Sequence, residues 1–299
     1  MANGNAKTQI YYDGASADGF LAAYAAWKAY GDQAEYHEVL FGEPPPAIGK
    51  RDAVFLGIPL PEEQIKRLAK DAASLLIIDH HASATPGYEK YPALVEHDPQ
   101  HSTCVLTWRR LHPSSALPRF YEYVEDAALG LWRLPQSREV DAAVQSHAWT
   151  WTTAEMMLHS LGKLMEDGAV ILRVEDLNAE ATLRRVGALG RVAGFEVPIA
   201  NATAFVTMTH ARMLERTPGR EFPFTATFMV LPNACFQWDL RAAGDFDVGA
   251  LAKFLGGGGG PRAALVLAPA DDPFLAKSAE AAVQQFGGGG ASGEKGVEG

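Results

Sequence analysis

The hydrophobic pattern opens with Thr8-Gln9-Ile10-Tyr11-Tyr12, a β-branched and aromatic run that predicts a first strand. Asp13 to Gly19 is a loop of small residues, and Phe20 to Tyr30 is Ala-rich with a helical period. Glu35 to Phe41 predicts a second strand, closed by the breaker run Gly42-Glu43-Pro44-Pro45-Pro46. Asp52 to Pro59 predicts a third strand leading into a loop, and Glu62 to Ala72 a helix. Leu75-Leu76-Ile77-Ile78 then reads as a short strand buried on both faces. It ends abruptly in Asp79-His80-His81, and Ala82 to Gly87 is loop-like. Strand, helix, strand, strand, helix, strand is the rhythm of a mostly parallel sheet covered by helices.

Helical patterns follow over Ser102 to Leu111, Phe120 to Leu129, Trp149 to Met165 and Val174 to Arg191. The second half changes character. Ala204 to Thr209, Phe224 to Leu231 and Ala234 to Leu240 are short β-rich runs, and Phe246 to Phe254 is helical. Phe195 to Ile199 is an edge strand at best, because Pro198 cannot donate to a ladder. The expectation is an α/β protein: a mostly parallel sheet domain over residues 1–190 and a smaller α/β domain over 191–285. Residues 286–299, rich in Gly, Ser and charge, are expected to be a disordered tail, with Gly287 to Gly290 a flexible linker. No internal repeat is visible.

Composition narrows the class. With 299 residues, 47% of them hydrophobic and 21% charged, the chain can bury a large core as an ordinary globular protein. No apolar run reaches the roughly 18 residues of a membrane span, and Met1 to Lys7 lacks the apolar core of a signal peptide. Cys104 and Cys235 are the only cysteines, which excludes a disulfide framework or a cysteine-rich zinc site. A cytoplasmic location is the default expectation. The formal charge of −10 argues against tight, non-specific nucleic-acid binding but leaves room for a small phosphorylated ligand in a local basic pocket.

The candidate chemistry gathers at element ends. Ligands of open α/β sheets bind beyond the carboxyl ends of the strands. Asp79, His80 and His81 lie there; they read either as donors for a divalent ion such as manganese, iron or zinc, or as a charged loop. Asp18, at the mouth of the first helix, reads as a cap or a metal ligand. The run Gly256-Gly257-Gly258-Gly259-Gly260 is bracketed by apolar segments, which favours a bare backbone that a ligand approaches over a simple tight turn. Arg241 is a phosphate fork or an exposed arginine. His97-Asp98-Pro99-Gln100-His101 reads as a solvated loop with Asp98 capping the next helix, while His37, His112, His147, His159 and His210 have no motif context.

Asp18-Gly19-Phe20, Asp79-His80-His81, Asp239-Leu240-Arg241-Ala242, Phe246-Asp247-Val248 and Gly256 to Gly259 before Pro261-Arg262-Ala263-Ala264 follow one another in order. The set resembles the DHH phosphoesterases with their glycine-rich, DHH-associated C-terminal domain, over roughly residues 8 to 268. The resemblance implies hydrolysis of phosphate esters or anhydrides by two manganese ions and a bridging hydroxide, with the C-terminal domain gripping the substrate.

The chain departs from that pattern at several ligand positions. Tyr12 stands where the family has a metal-binding His, Ser16 where a carboxylate or Cys is common, and Gly57 where an Asp bridges both metals. Gly130 replaces an Asp ahead of Leu131-Trp132, and Gly260 replaces the His after the glycine run. By resemblance one metal keeps Asp18 and His80 and the other keeps nothing, whereas catalytic zinc sites, for comparison, retain three protein ligands. Asp13 or Asp126 are the residues that would have to be recruited instead.

The expected protein therefore has a degenerate two-metal site with manganese weak or absent. It binds a nucleotide or short oligonucleotide with little conventional hydrolysis, has no membrane partner and shows no strong non-specific nucleic-acid binding. His81 would contact phosphate, Asp79 would orient His80, and Arg241 with Gly256 to Gly260 would hold the anion. The alternatives are an active phosphoesterase with rewired ligands and His81 catalytic, or an interaction protein with a vestigial cleft.

Overall fold

The computed structural model describes residues 8–39, 48–217 and 219–287. The breaker run at Gly42 to Pro46 and the tail from residue 288 lie outside the described residues. The chain divides into two compact units, Met1–Leu172 and Arg173–Gly299.

The first unit contains β1 (Thr8–Asp13), α1 (Ala17–Tyr30), β2 (Ala34–Val39), β3 (Asp52–Leu56), α2 (Glu62–Asp71), β4 (Ser74–Asp79), α3 (Thr85–Tyr88) and β5 (Val95–His97). Helices α4 (Thr103–Leu111), α5 (Arg119–Ala128), α6 (Ser137–Ser146) and α7 (Trp151–His159) follow, and α8 (Leu161–Val186) runs across the division. The strands form one parallel sheet in the order β2-β1-β3-β4-β5. Because side chains alternate along a strand, Ile10, Tyr12, Leu56 and Ile78 enter a core with α1, α4 and α5. Tyr11, Phe55 and Ile77 enter another on the opposite face with Ile65 and Leu68 of α2. This two-sided burial is why the strands read as nearly continuous apolar runs.

The order places the topological switch between β1 and β3, with β4 beside β3. Parallel sheets of this order open a crevice beyond those carboxyl ends. Tyr12, Asp13, Gly57 and the Asp79-His80-His81 turn are all carried there.

The second unit contains β6 (Ala188–Val192), β7 (Phe195–Asn201), α9 (Val206–Glu215), β8 (Phe224–Val230), β9 (Phe236–Ala242), α10 (Val248–Phe254), β10 (Gly258–Gly260), β11 (Ala263–Ala268) and α11 (Ala279–Phe286). Its sheet is mixed, in the order β10-β11-β9-β8-β7-β6, with β7 and β8 the parallel pair. Phe224, Ala226, Trp238, Leu240 and Val266 bury one face against Val248, Leu251 and Ala252 of α10. The α/β expectation holds: a parallel sheet first, a mixed sheet second. The boundary expected near residue 190 falls within β6, and Phe286, assigned to the tail, closes α11.

Local corrections have identifiable causes. Ala82 to Gly87, expected as loop, forms a 3₁₀ turn and α3, with Pro86 in the helix's first turn, where a missing N–H costs nothing. Trp149 to Met165 is two helices, interrupted at Ser160. Val174 to Arg191 is helical only to Val186; after Gly187 the chain becomes β6. Ala204 to Thr209, expected as strand, enters α9. There Thr209 returns its hydroxyl to Phe205 O (2.9 Å), and burial of His210 overrides the β-propensity of Val206 and Thr207. β7 is interior rather than an edge. It tolerates Pro198 because its registered pairing with β8 starts only at Ile199.

Candidate functional site

At the last residue of β4 the sheet delivers a fully buried carboxylate, Asp79, at 0% exposure. Its Oδ1 accepts from His80 N (2.9 Å), His81 N (3.4 Å) and the His81 ring at Nδ1 (2.6 Å). Its Oδ2 accepts from the Tyr88 hydroxyl (2.8 Å). Burial works to raise the Asp79 pKa, but the hydrogen bond and charge of His81, with Tyr88 and the backbone, outweigh it and hold the carboxyl below its usual value. The same bond raises His81 against the burial that would lower it. His80 is lowered, chiefly by burial. The result is an ionised Asp79, a His81 inclined to carry charge and a neutral His80.

Asp18 is 5% exposed and also committed. Of its two readings, cap of its own helix or metal ligand, the cap belongs to Ser16, which accepts from Gly19 N (3.0 Å). Asp18 instead reaches α4, accepting from Thr103 N (3.0 Å) and Cys104 N (2.8 Å). A carboxylate at those first free N–H groups is stabilised by the bonds and by the helix dipole. The His80 ring lies against both of these residues: its Nδ1 is 2.9 Å from Thr103 Oγ1 and 3.6 Å from Asp18 Oδ2. Asp98 does not cap α4. It closes its own turn onto Gln100 N (2.9 Å), and Glu125 takes Ser102 N (2.9 Å).

At the positions where the resemblance would put metal ligands, the side chains make other contacts. Tyr12 donates to Glu38 (3.1 Å), and burial with Glu38 alongside pushes its phenol pKa well up, so it stays neutral. Ser16 donates to Asp13 Oδ2 (2.5 Å). Gly57 has φ +68°, a conformation side chains other than Asn and Asp rarely take. A Cβ there would meet Thr103 at 3.4–3.7 Å, an ordinary contact. Gly130 also has positive φ (+64°), with open space around it. Asp126, the residue named for recruitment there, accepts from Arg133 N (2.9 Å) and Leu134 N (3.1 Å) with its two oxygens.

Among the described residues, Asp79, His80 and His81 are the one group of three or more donors clustered for an ion, with ligand atoms within 4.8 Å of one another. That is one ligand set where a two-manganese centre needs two, and Asp79 and His81 are already bonded to each other. These donors do not fit the pair of ions that the resemblance implies.

In the second unit, strand register puts the other candidates in rows. Gly260, Ala263, Arg241 and Thr225 are cross-strand neighbours, as are Gly258, Leu265, Asp239 and Thr227. Arg241 therefore shares a face with Asp239, and the two pair: Nε to Oδ1 at 3.0 Å and Nη2 to Oδ2 at 3.2 Å. The glycine run was expected as a loop, but Gly258–Gly260 is a strand paired with β11. A Cβ on Gly257 or Gly259 would lie 2.1 Å from Leu265 O or 2.5 Å from Ala263 O, so those two glycines admit β11 closely. Gly256, Gly258 and Gly260 face open space. Sequence reasoning missed Thr103, Tyr88, Glu38 and Glu125, which are ordinary residue types whose roles depend on distant partners.

No protein-family model matches the chain, and no curated protein does. Among solved structures, a pGpG-specific phosphodiesterase from Vibrio cholerae matches with a TM-score of 0.55 at 11% identity, over 95% of this chain and 100% of that one. An exopolyphosphatase-related protein from Bacteroides fragilis matches at 0.48 and 11%, over 94% and 92%. An uncharacterized Helicobacter pylori protein matches at 0.35 and 11%, over 87% and 92%. The chain thus shares the overall fold of the Vibrio phosphodiesterase, consistent with the phosphoesterase-type fold that the sequence resemblance implies.

Proposed function

We propose that this is a DHH phosphoesterase-type protein whose two-metal site has degenerated, and that it binds a phosphate-bearing ligand, a nucleotide or short oligonucleotide, with little conventional hydrolysis. The observation that carries this reading is the commitment of Asp18. Both its oxygens accept backbone N–H groups of α4, while Gly57 stands where the resemblance implies a bridging carboxylate. In this reading His81, protonated and held by Asp79, contacts phosphate. Arg241 and the open glycines Gly256, Gly258 and Gly260 hold the anion on the second unit's sheet.

The Asp79-His80-His81 cluster favours a second reading, a metal-dependent enzyme with rewired ligands. Two assays separate them: metal content of the purified protein, and hydrolysis of bis-p-nitrophenyl phosphate with manganese. Metal-poor protein with turnover near background is expected. Robust turnover that disappears in His80→Ala establishes the rewired enzyme instead.

A further inference from the structure

His210 has no motif around it, yet it is 4% exposed and sits on α9 directly against the arginine's partner. Its Nδ1 lies 2.6 Å from Thr225 Oγ1, and its Nε2 lies 3.3 Å from Thr227 Oγ1 and 3.4 Å from Asp239 Oδ1. A carboxylate beside Nε2 favours the tautomer protonated there, leaving Nδ1 to accept the Thr225 hydroxyl. Asp239 thus lies between the imidazole, in charge contact at Oδ1, and the guanidinium, whose Nη2 donates to Oδ2. It occupies the Nε and Nη2 edge of Arg241 and leaves Nη1 outside the pair.

We propose that His210 is a positioning residue for anion binding: through Asp239 it fixes the guanidinium of Arg241, and its proton state is coupled to what Arg241 binds. The proposal rests on the anion-binding reading of Arg241 given above. Long arginine side chains lose rotamer freedom when fixed, so an arginine already held by its neighbours binds an anion with less ordering cost. The coupling follows from charge. His210 is lowered chiefly by burial, while Asp239 raises it and Arg241 lowers it. An anion on Arg241 offsets that positive field, so ligand binding raises His210 and draws a proton toward it. Other charges near α9 are engaged elsewhere: Asp176 and Glu180 of α8 by Arg212 and Arg216, and Glu196 of β7 by Arg220. From β8 only the hydroxyls of Thr225 and Thr227 face the ring.

The test uses the full chain and the dithymidine monophosphate diester, whose single charge does not titrate between pH 5 and 8. In the ligand-free protein, NMR titration of the His210 ring should move to higher pH in Arg241→Ala and to lower pH in Asp239→Asn. In calorimetry, His210→Ala should weaken diester binding about tenfold. His210→Gln, which keeps a donor for Asp239, should stay within about threefold of wild type. Combining His210→Ala with Arg241→Ala should add no loss beyond Arg241→Ala alone, and wild-type binding should tighten as pH falls toward the His210 midpoint. An unmoved His210 titration in both Arg241→Ala and Asp239→Asn overturns the coupling. Additive losses, or full affinity in His210→Ala beside weak Arg241→Ala, overturn the positioning role. If the wild type binds no diester, the anion-binding reading itself fails. The ring titration in Arg241→Ala, which needs no ligand, then still decides whether the chain of contacts is coupled.

Discussion

In the first unit, Asp18 and Asp79 direct their oxygens at backbone amides, the His81 ring and the Tyr88 hydroxyl, and both are almost wholly buried. In the second unit, Asp239 and Arg241 lie on a sheet face whose neighbours include glycines open to space, and the arginine side chain is 35% exposed. Both regions hold a carboxylate in contact with a histidine. They differ in what remains available. A carboxylate whose two oxygens each accept a backbone N–H is held in that place, because each abandoned buried donor costs about 1–3 kcal/mol. A guanidinium paired along one edge still has donors to offer. Under the reading proposed above, this difference is what would let such a chain lose metal chemistry and keep an anion platform: the same residue types serve the scaffold in one unit and stay available in the other.

Removing Asp18 tests the scaffold side most severely. Asp18→Ala strips the α4 N-terminus of the acceptor for two buried N–H groups and is expected to cost about 2–4 kcal/mol in urea unfolding. Asp18→Asn, which keeps one acceptor oxygen, should cost less. If Asp18→Ala unfolds like wild type while abolishing manganese binding, the carboxylate is a ligand and the comparison fails.

Arg241→Ala tests the other side. Loss of a charge-assisted contact typically removes about 1.5–3 kcal/mol, roughly ten- to a hundredfold in nucleotide affinity, while thermal stability should change little because the group is part-exposed. Unchanged affinity would leave the retained motif as scaffold alone. Gly258→Val sharpens the same point with a smaller effect, near tenfold. Its Cβ meets nothing within 4 Å, so the fold should survive while the side chain obstructs an approaching ligand. Equal affinities for Gly258→Val and wild type would move the ligand off this face.

These contrasts also mark what the sequence made legible. Strands buried on both faces announced themselves through runs such as Leu75 to Ile78, and their order placed Asp79, His80 and His81 at the crevice. Helix α9 was not legible, because Val206 and Thr207 have strand propensity and the burial that overrides it is tertiary. The strand at Gly258–Gly260 carries no side-chain pattern at all, only ladder pairing to β11. The role of Asp18 depends on Thr103, 85 residues away. His210 gained its meaning only when α9 brought it beside Asp239, which lies on a separate strand.

The smallest expected effect concerns pH and the Asp79–His81 pair. His81 is raised above its ordinary value of 6.5, first by the hydrogen bond to Asp79. A histidine raised on folding contributes stability that is fully present below its unfolded pKa and is lost as pH rises through the folded one. Asp79 is shifted the other way, so its own contribution is lost only under strong acid, outside the window above pH 6.5. The His81 ring is 38% exposed, and solvent screens the pair, so the contribution should stay below about 1 kcal/mol. His81→Ala should therefore destabilise most near pH 5.5 and progressively less toward pH 8.5, in urea unfolding compared with wild type at each pH. His80 is lowered by burial and opposes charging of the same turn in acid, which makes the difference between the two proteins, rather than either curve alone, the quantity to follow. A destabilisation that is flat across this range, or that grows with pH, would mean that His81 is not held by the ionised Asp79, and the phosphate contact assigned to it would lose its charge.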